Sequence, residues 1–153
     1  MSSLYLLRHG QAAWVDPDAA RPLTSAGERH TRAVLDTYRA RIAAPLELWV
    51  SPLLRAQQSA DLVGAALAVR ERRTCDWLTP DSEPAHVLAQ LQQWPGEGGL
   101  MLVAHNPLLS RLLNLLLDSP PGRYPLGTSA LAALELPVVA AGCAELRWLH
   151  SGH

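Results

Sequence analysis

Apolar residues along this 153-residue chain fall into short runs that alternate with amphipathic stretches. The first run, Leu4-Tyr5-Leu6-Leu7, is too short for a helix and reads as a buried strand. A loop rich in proline and aspartate, "VDPDAARPLT", follows. A helical pattern then extends from about Ala26 to Ile42, with Ser25 and Glu28 in capping-box spacing. Leu46–Val50 reads as the second strand and "PLLRAQQSADLVGAALA" as the second helix. A weaker strand is expected near Arg72–Trp77 and a helix from Glu83 to Gln93. The run Leu100–Ala104 is a further strand, and "NPLLSRLLNLLLD" is a fourth helix. "SALAALELP" and "AELRWL" close the chain as two strands joined by a turn at Ala141-Gly142. Strands alternating with helices predict an α/β sandwich with a mostly parallel sheet. No repeat or linker interrupts the pattern, so residues 1–153 read as one domain, with Ser151–His153 as a frayed tail.

The ends of three strands carry the unusual residues. Arg8, His9 and Gly10 follow the first apolar run, where a plain turn would use Asn, Asp or Ser. Ser51-Pro52 ends the second strand, and His105-Asn106-Pro107 ends "LMLVA". Ser and Asn are favoured helix caps, and Pro is favoured at the first helical position. Two helices are therefore expected to begin directly at strand ends. In an open α/β sheet the carboxyl edge is where ligands bind, and helix starts there suit an anion.

Composition changes the picture little. All 13 basic residues are arginine, so their number reflects a bias and only their positions inform. The net charge of −1 gives no reason to expect nucleic acid or an anionic membrane as a partner. No stretch reaches the ~18 apolar residues of a membrane helix, and the first run is too short for a signal peptide. Cys75 and Cys143 stand in no metal or redox spacing, which fits a reduced cytoplasmic setting. His30, His86, His150 and His153 are scattered without ligand spacing, so no metal or other cofactor is expected.

What remains is Arg8 and His9, Arg55 in the first turn of the second helix, and His105, all on one sheet edge. Guanidinium groups bind phosphate oxygens as bidentate forks and keep their charge at any working pH. A neutral imidazole can attack phosphorus, and a second can donate to the oxygens as charge builds. Gly10 would let the backbone turn sharply and approach a ligand.

"LLRHGQA", "VSPLLRAQQSA" and "VAHNP" resemble the histidine phosphatase superfamily. "RPLTSAG", "LTP" and "TSALA" narrow the resemblance to the short bacterial SixA type of phosphohistidine phosphatase. The resemblance implies a three-layer α/β/α sandwich of the phosphoglycerate-mutase-like kind, without a lid insertion. It also implies metal-independent phosphoryl transfer through a phosphohistidine intermediate. Carried over by position, His9 is the nucleophile, Arg8 and Arg55 clamp the phosphoryl group, and His105 completes the pocket. Arg21, in "RPLT", is a candidate for a further phosphate contact or a structural ion pair.

About fifty residues separate Arg55 from His105, and two strands and most of two helices must fit between them. The larger relatives use this interval for a lid that supplies an acid to an alcohol leaving group. Here the nearby acids are Asp81 and Glu83, each a candidate proton donor or a helix-start carboxylate. An alkoxide needs protonation in the transition state, whereas imidazole, with a pKa near ~6.5, leaves more readily. The expected function is thus hydrolysis of a phosphorylated protein histidine, with a histidine phosphotransfer domain or a similar protein as partner and the enzyme itself a monomer. The alternatives are a phosphomonoesterase or a mutase acting on a small phosphorylated substrate, and a non-catalytic phosphoryl-binding module.

Overall fold

A computed structural model describes residues 2–153. Six strands form one sheet: β1 (Ser2–Arg8), β2 (Leu46–Val50), β3 (Val69–Thr74), β4 (Gly99–Ala104), β5 (Leu131–Leu136) and β6 (Glu145–His150). Four helices connect them: α1 (Ser25–Tyr38), α2 (Leu54–Ala66), α3 (Pro84–Gln93) and α4 (Leu108–Leu117). The strand order is β3-β2-β4-β1-β5-β6. β3, β2, β4 and β1 run parallel, and β5 and β6 add an antiparallel edge beside β1.

Alternation along β1 explains the three layers. Leu4 and Leu6 face one side of the sheet, where they pack with Leu91 of α3 and Leu108, Leu109 and Leu112 of α4. Tyr5 and Leu7 face the other side, with Val34 and Leu35 of α1 and Ala56, Ala60 and Val63 of α2. The central strands are buried on both faces, so they appear in the sequence as unbroken apolar runs. The architecture is the expected α/β/α sandwich with a mostly parallel sheet.

Boundaries differ in ways that have physical causes. Thr24, not Ser25, caps α1: Thr24 has extended dihedrals and its hydroxyl accepts the Gly27 N–H at 3.0 Å. Glu28 lies instead 3.8 Å from Arg32. α1 ends at Tyr38 and passes into a 3₁₀ turn, Arg39–Arg41, short of Ile42. α2 begins at Leu54 rather than at Pro52, and the Ser51 hydroxyl accepts the Leu53 N–H at 3.3 Å just before the helix. α4 begins at Leu108, and Asn106 Oδ1 accepts the Ser110 N–H at 3.1 Å. β3 lies three residues earlier than expected because "VRERRT" is a charged edge strand without an apolar run. The tail is not frayed: the Ser151 carbonyl accepts from Gly127 N, and His153 N donates to Thr128 O at 2.9 Å.

Candidate active site

β1 and β4 are neighbours, so their register places Arg8 opposite Ala104, and the residues that follow, His9 and His105, leave the sheet side by side. Their rings are 4.9 Å apart between centroids, tilted by 54°. Arg55, in the first turn of α2, and Arg8, at the end of β1, join them around a cavity of about 470 Å³. Gln11, Trp14, Asp18, Arg21, Asp81 and Thr128 also line it. The structure thus brings together Arg8, His9, Arg55 and His105, with Arg21 and Asp81 at the same cavity. Glu83 is elsewhere. It directly precedes Pro84 at the start of α3, makes no side-chain capping hydrogen bond, and stands 3.6 Å from Arg111 of α4, lining a separate cleft.

Gly10 has a packing role as well. A Cβ there would meet Gly27 O and Thr31 Oγ1 at 2.8 Å, and one at Gly27 would collide with the Gln11 backbone. The two glycines let α1 press directly against the segment after His9. The Gly10 N–H donates to Ser59 Oγ at 3.1 Å, and Ser59 Oγ donates to Arg55 O at 2.8 Å. The histidine loop and the arginine helix are therefore tied together beneath the cavity.

His9 is 6% exposed. Its Nδ1 lies 2.7 Å from Gly10 O, and a carbonyl only accepts, so Nδ1 carries the proton and the Nε2 lone pair is left uncommitted. Burial lowers the His9 pKa to about 4, with Arg55, Arg8 and Arg21 adding to the effect against the opposing hydrogen bond to Gly10. Burial, and then His9 and Arg55, drive His105 far below its ordinary range as well. Both imidazoles are neutral at pH 7.

The arginines are positioned through acceptors of the surrounding loops. Arg8 Nη1 donates to Leu126 O at 2.9 Å, and Asn106 Nδ2 donates to the same carbonyl at 2.8 Å. Arg55 donates to the Asp18 carbonyl at 2.9 Å and to its carboxylate at 3.2 Å. Arg21 donates to Ala13 O at 2.9 Å and to the other Asp18 oxygen at 3.3 Å. Desolvation pushes the Asp18 carboxyl up, but the hydrogen bond and charge of Arg55, then of Arg21, outweigh it and hold the group below the usual carboxylate range. Arg8 Nε, Arg55 Nε and His105 Nδ1 are buried without a hydrogen-bond partner. Two guanidinium groups and a neutral imidazole gathered on one cavity form a set that can meet an anion. Among the described residues, no group of three or more His, Cys, Asp and Glu side chains is placed to hold a metal ion.

Asp18 and Ser51 were not singled out for this site from the sequence. Asp18 lies in an irregular loop, and only the folded chain puts it against Arg55. The sequence marks Ser51 only as a helix-start residue, yet its hydroxyl also lies 2.6 Å from His105 Nε2.

Comparison with known proteins agrees with the geometry. The family model of the histidine phosphatase superfamily (branch 1) matches residues 4–77. Phosphohistidine phosphatase SixA of Escherichia coli (strain K12) is 32% identical over 139 residues, covering 87% of this chain and 84% of that protein. A structure of the protein histidine phosphatase SixA complexed with tungstate superposes with a TM-score of 0.86 at 28% identity, covering 97% of this chain and 96% of that one. The fold is shared as well with a putative phosphohistidine phosphatase SixA from Nakamurella multipartitia, at a TM-score of 0.80 and 22% identity over 99% of this chain and 96% of that one. The chain belongs to the histidine phosphatase superfamily and is a SixA-like, metal-independent phosphatase.

Proposed function

We propose that this phosphatase hydrolyses the P–N bond of a phosphorylated protein histidine through a covalent phosphohistidine on His9. His9 Nε2 attacks phosphorus in line, and the P–N bond breaks as the substrate ring, already protonated from solvent on its other nitrogen, leaves as neutral imidazole. Arg8, Arg55 and His105 meet the equatorial oxygens, and Arg21 adds a more distant positive charge. Water then attacks the phospho-enzyme, releasing inorganic phosphate and restoring His9. Preorganised charge and position supply most of the catalysis in such transfers.

Ser51 completes the oxygen-binding set from behind. A phosphoryl oxygen can only accept, so His105 must present its free nitrogen, Nδ1, as an N–H. In the neutral ring Nε2 is then an acceptor, and the Ser51 hydroxyl 2.6 Å away donates to it. Ser51 is a positioning residue that selects this tautomer.

One observation carries the choice of substrate: of the acidic side chains near the site, Asp18 is engaged by two arginines and Glu83 lines a separate cleft. Asp18 is kept ionised by two arginines, and Glu83 faces Arg111 instead. An alcohol leaving group would find a donor in neither, whereas a phosphohistidine protonated on its other ring nitrogen leaves as neutral imidazole. Asp81, at the rim of the cavity, is the feature that favours the second reading, a small-molecule phosphomonoesterase. Rates on a phosphohistidine protein, phosphoramidate, p-nitrophenyl phosphate and sugar phosphates separate the two. The P–N substrates should be hydrolysed far faster, and faster turnover of the sugar phosphates would overturn the proposal.

A further inference from the structure

We propose that Trp14, with Val15 beside it, is a docking platform for the folded protein that presents the phosphorylated histidine. This rests on the reading that the substrate is a phosphohistidine protein, and it specifies how this chain engages that protein outside the phosphoryl chemistry.

Exposure is the first observation. Among the described residues four large apolar side chains are exposed: Trp14 at 87%, Val138 at 60%, Val15 at 44% and Leu54 at 36%. Val138 follows β5, at the end of the sheet away from the site. The other three flank the cavity in the chain: Trp14 lines it, Val15 adjoins Trp14, and Leu54 directly precedes Arg55. Scattered apolar residues are ordinary on a surface, but a bare indole at the mouth of a cationic cavity is placed where a macromolecular substrate must pass.

Rigidity is the second. The Arg21 guanidinium carbon lies 3.8 Å from the Trp14 ring centroid. Arg21 is itself fixed by Ala13 O, Ala12 O and Asp18. One face of the indole is thus backed by an anchored cation, and the other is open. A platform held in advance loses little freedom when a partner covers it.

Chemistry then selects the occupant. The phosphoryl group goes to the arginines, and a histidine side chain reaching His9 from a folded surface brings its neighbours onto the rim. The indole and Val15 fit an apolar side chain next to the phosphohistidine. Phosphoramidate has no such neighbour and uses the inner cavity alone. Because Arg21 keeps its three other acceptors, removing the indole leaves that cavity in place.

The test compares Trp14→Ala and Trp14→Phe with the wild type on two substrates, phosphoramidate and a histidine phosphotransfer domain phosphorylated on its histidine. Trp14→Ala should lower kcat/KM on the phosphoprotein by ~10-fold or more, chiefly through KM, the scale of an aromatic hot spot. Its rate on phosphoramidate should stay within about twofold, and Trp14→Phe should recover most of the loss. Equal losses on both substrates, or none on the phosphoprotein, overturn the platform. So does sedimentation showing that the wild type is a dimer which Trp14→Ala dissociates, since the indole would then be a self-association contact. A wild type inert on the phosphoprotein but active on phosphoramidate overturns the substrate reading itself, and the platform with it.

Discussion

At the scale of single residues, the site works by keeping a histidine neutral inside a cage of guanidinium groups. Burial, with the neighbouring arginines, lowers the His9 pKa to about 4, so its Nε2 lone pair stays free across the neutral range. The acid limb of kcat/KM reports the free enzyme, and it should lie well below the ordinary histidine value, near pH 4. A limb near ~6.5 would mean that burial and the arginines do not govern His9. Replacing Arg55 or His105 by alanine should lower kcat/KM by ~10²–10³, the usual cost of one preorganised donor. Asp18→Asn should act in the opposite direction on the product. It removes a carboxylate that competes for Arg55, so inorganic phosphate should inhibit several-fold more tightly in steady-state assays. Unchanged phosphate inhibition would show that the carboxylate, 63% exposed, is too well solvated to compete. His9, Arg55 and His105 were legible in the sequence because each follows a strand end or opens a helix, where topology alone implies convergence. Asp18 was not, because its meeting with Arg55 depends on the path of an irregular loop.

At the scale of elements, the start of α1 packs against the segment that follows His9. Thr24 caps α1 and its hydroxyl donates to Gln11 Oε1 at 2.8 Å, while Gly27 lets the helix rest on the Gln11 backbone. Gly27→Ala should therefore push the segment after His9 away from α1. We expect a loss of about 1–3 kcal/mol in stability, the ordinary cost of overpacking, and a fall in kcat/KM with it. Thermal unfolding and steady-state rates measured together check both. β2 was readable to the residue because it is buried on both faces and all five of its positions are buried. β3 was misplaced for the converse reason: an edge strand faces water and carries charge, so its sequence lacks an apolar run. The cap of α1 was misassigned by one residue, since Thr24 and Ser25 offer the same chemistry and only the dihedral angles distinguish them.

At the scale of the whole molecule, burying neutral histidines couples folding to pH. The unfolded chain takes up a proton on His9 near pH ~6.5, but the folded chain does so only at about 4. Between those values the unfolded state binds more protons, so stability is full above the upper value and declines as pH falls toward the lower one. The melting temperature of the wild type should drop more steeply between pH 7 and 4.5 than that of His9→Ala, and parallel curves would contradict this. Added phosphate should raise the wild-type melting temperature at pH 7, because the anion binds only the folded cavity. The sandwich and its sheet edge were legible from strand–helix alternation, whereas the pairing of β1 with β4, which sets His9 beside His105, emerges only from the order of strands.

The central claim is that His9 carries the phosphoryl group during turnover. Brief incubation with a ³²P-labelled phosphohistidine protein, followed by denaturation, measures it directly. The account predicts an acid-labile, alkali-stable label on the enzyme at His9, and none on the His9→Ala variant. Turnover without any enzyme-bound label, or an equal label on His9→Ala, would contradict it.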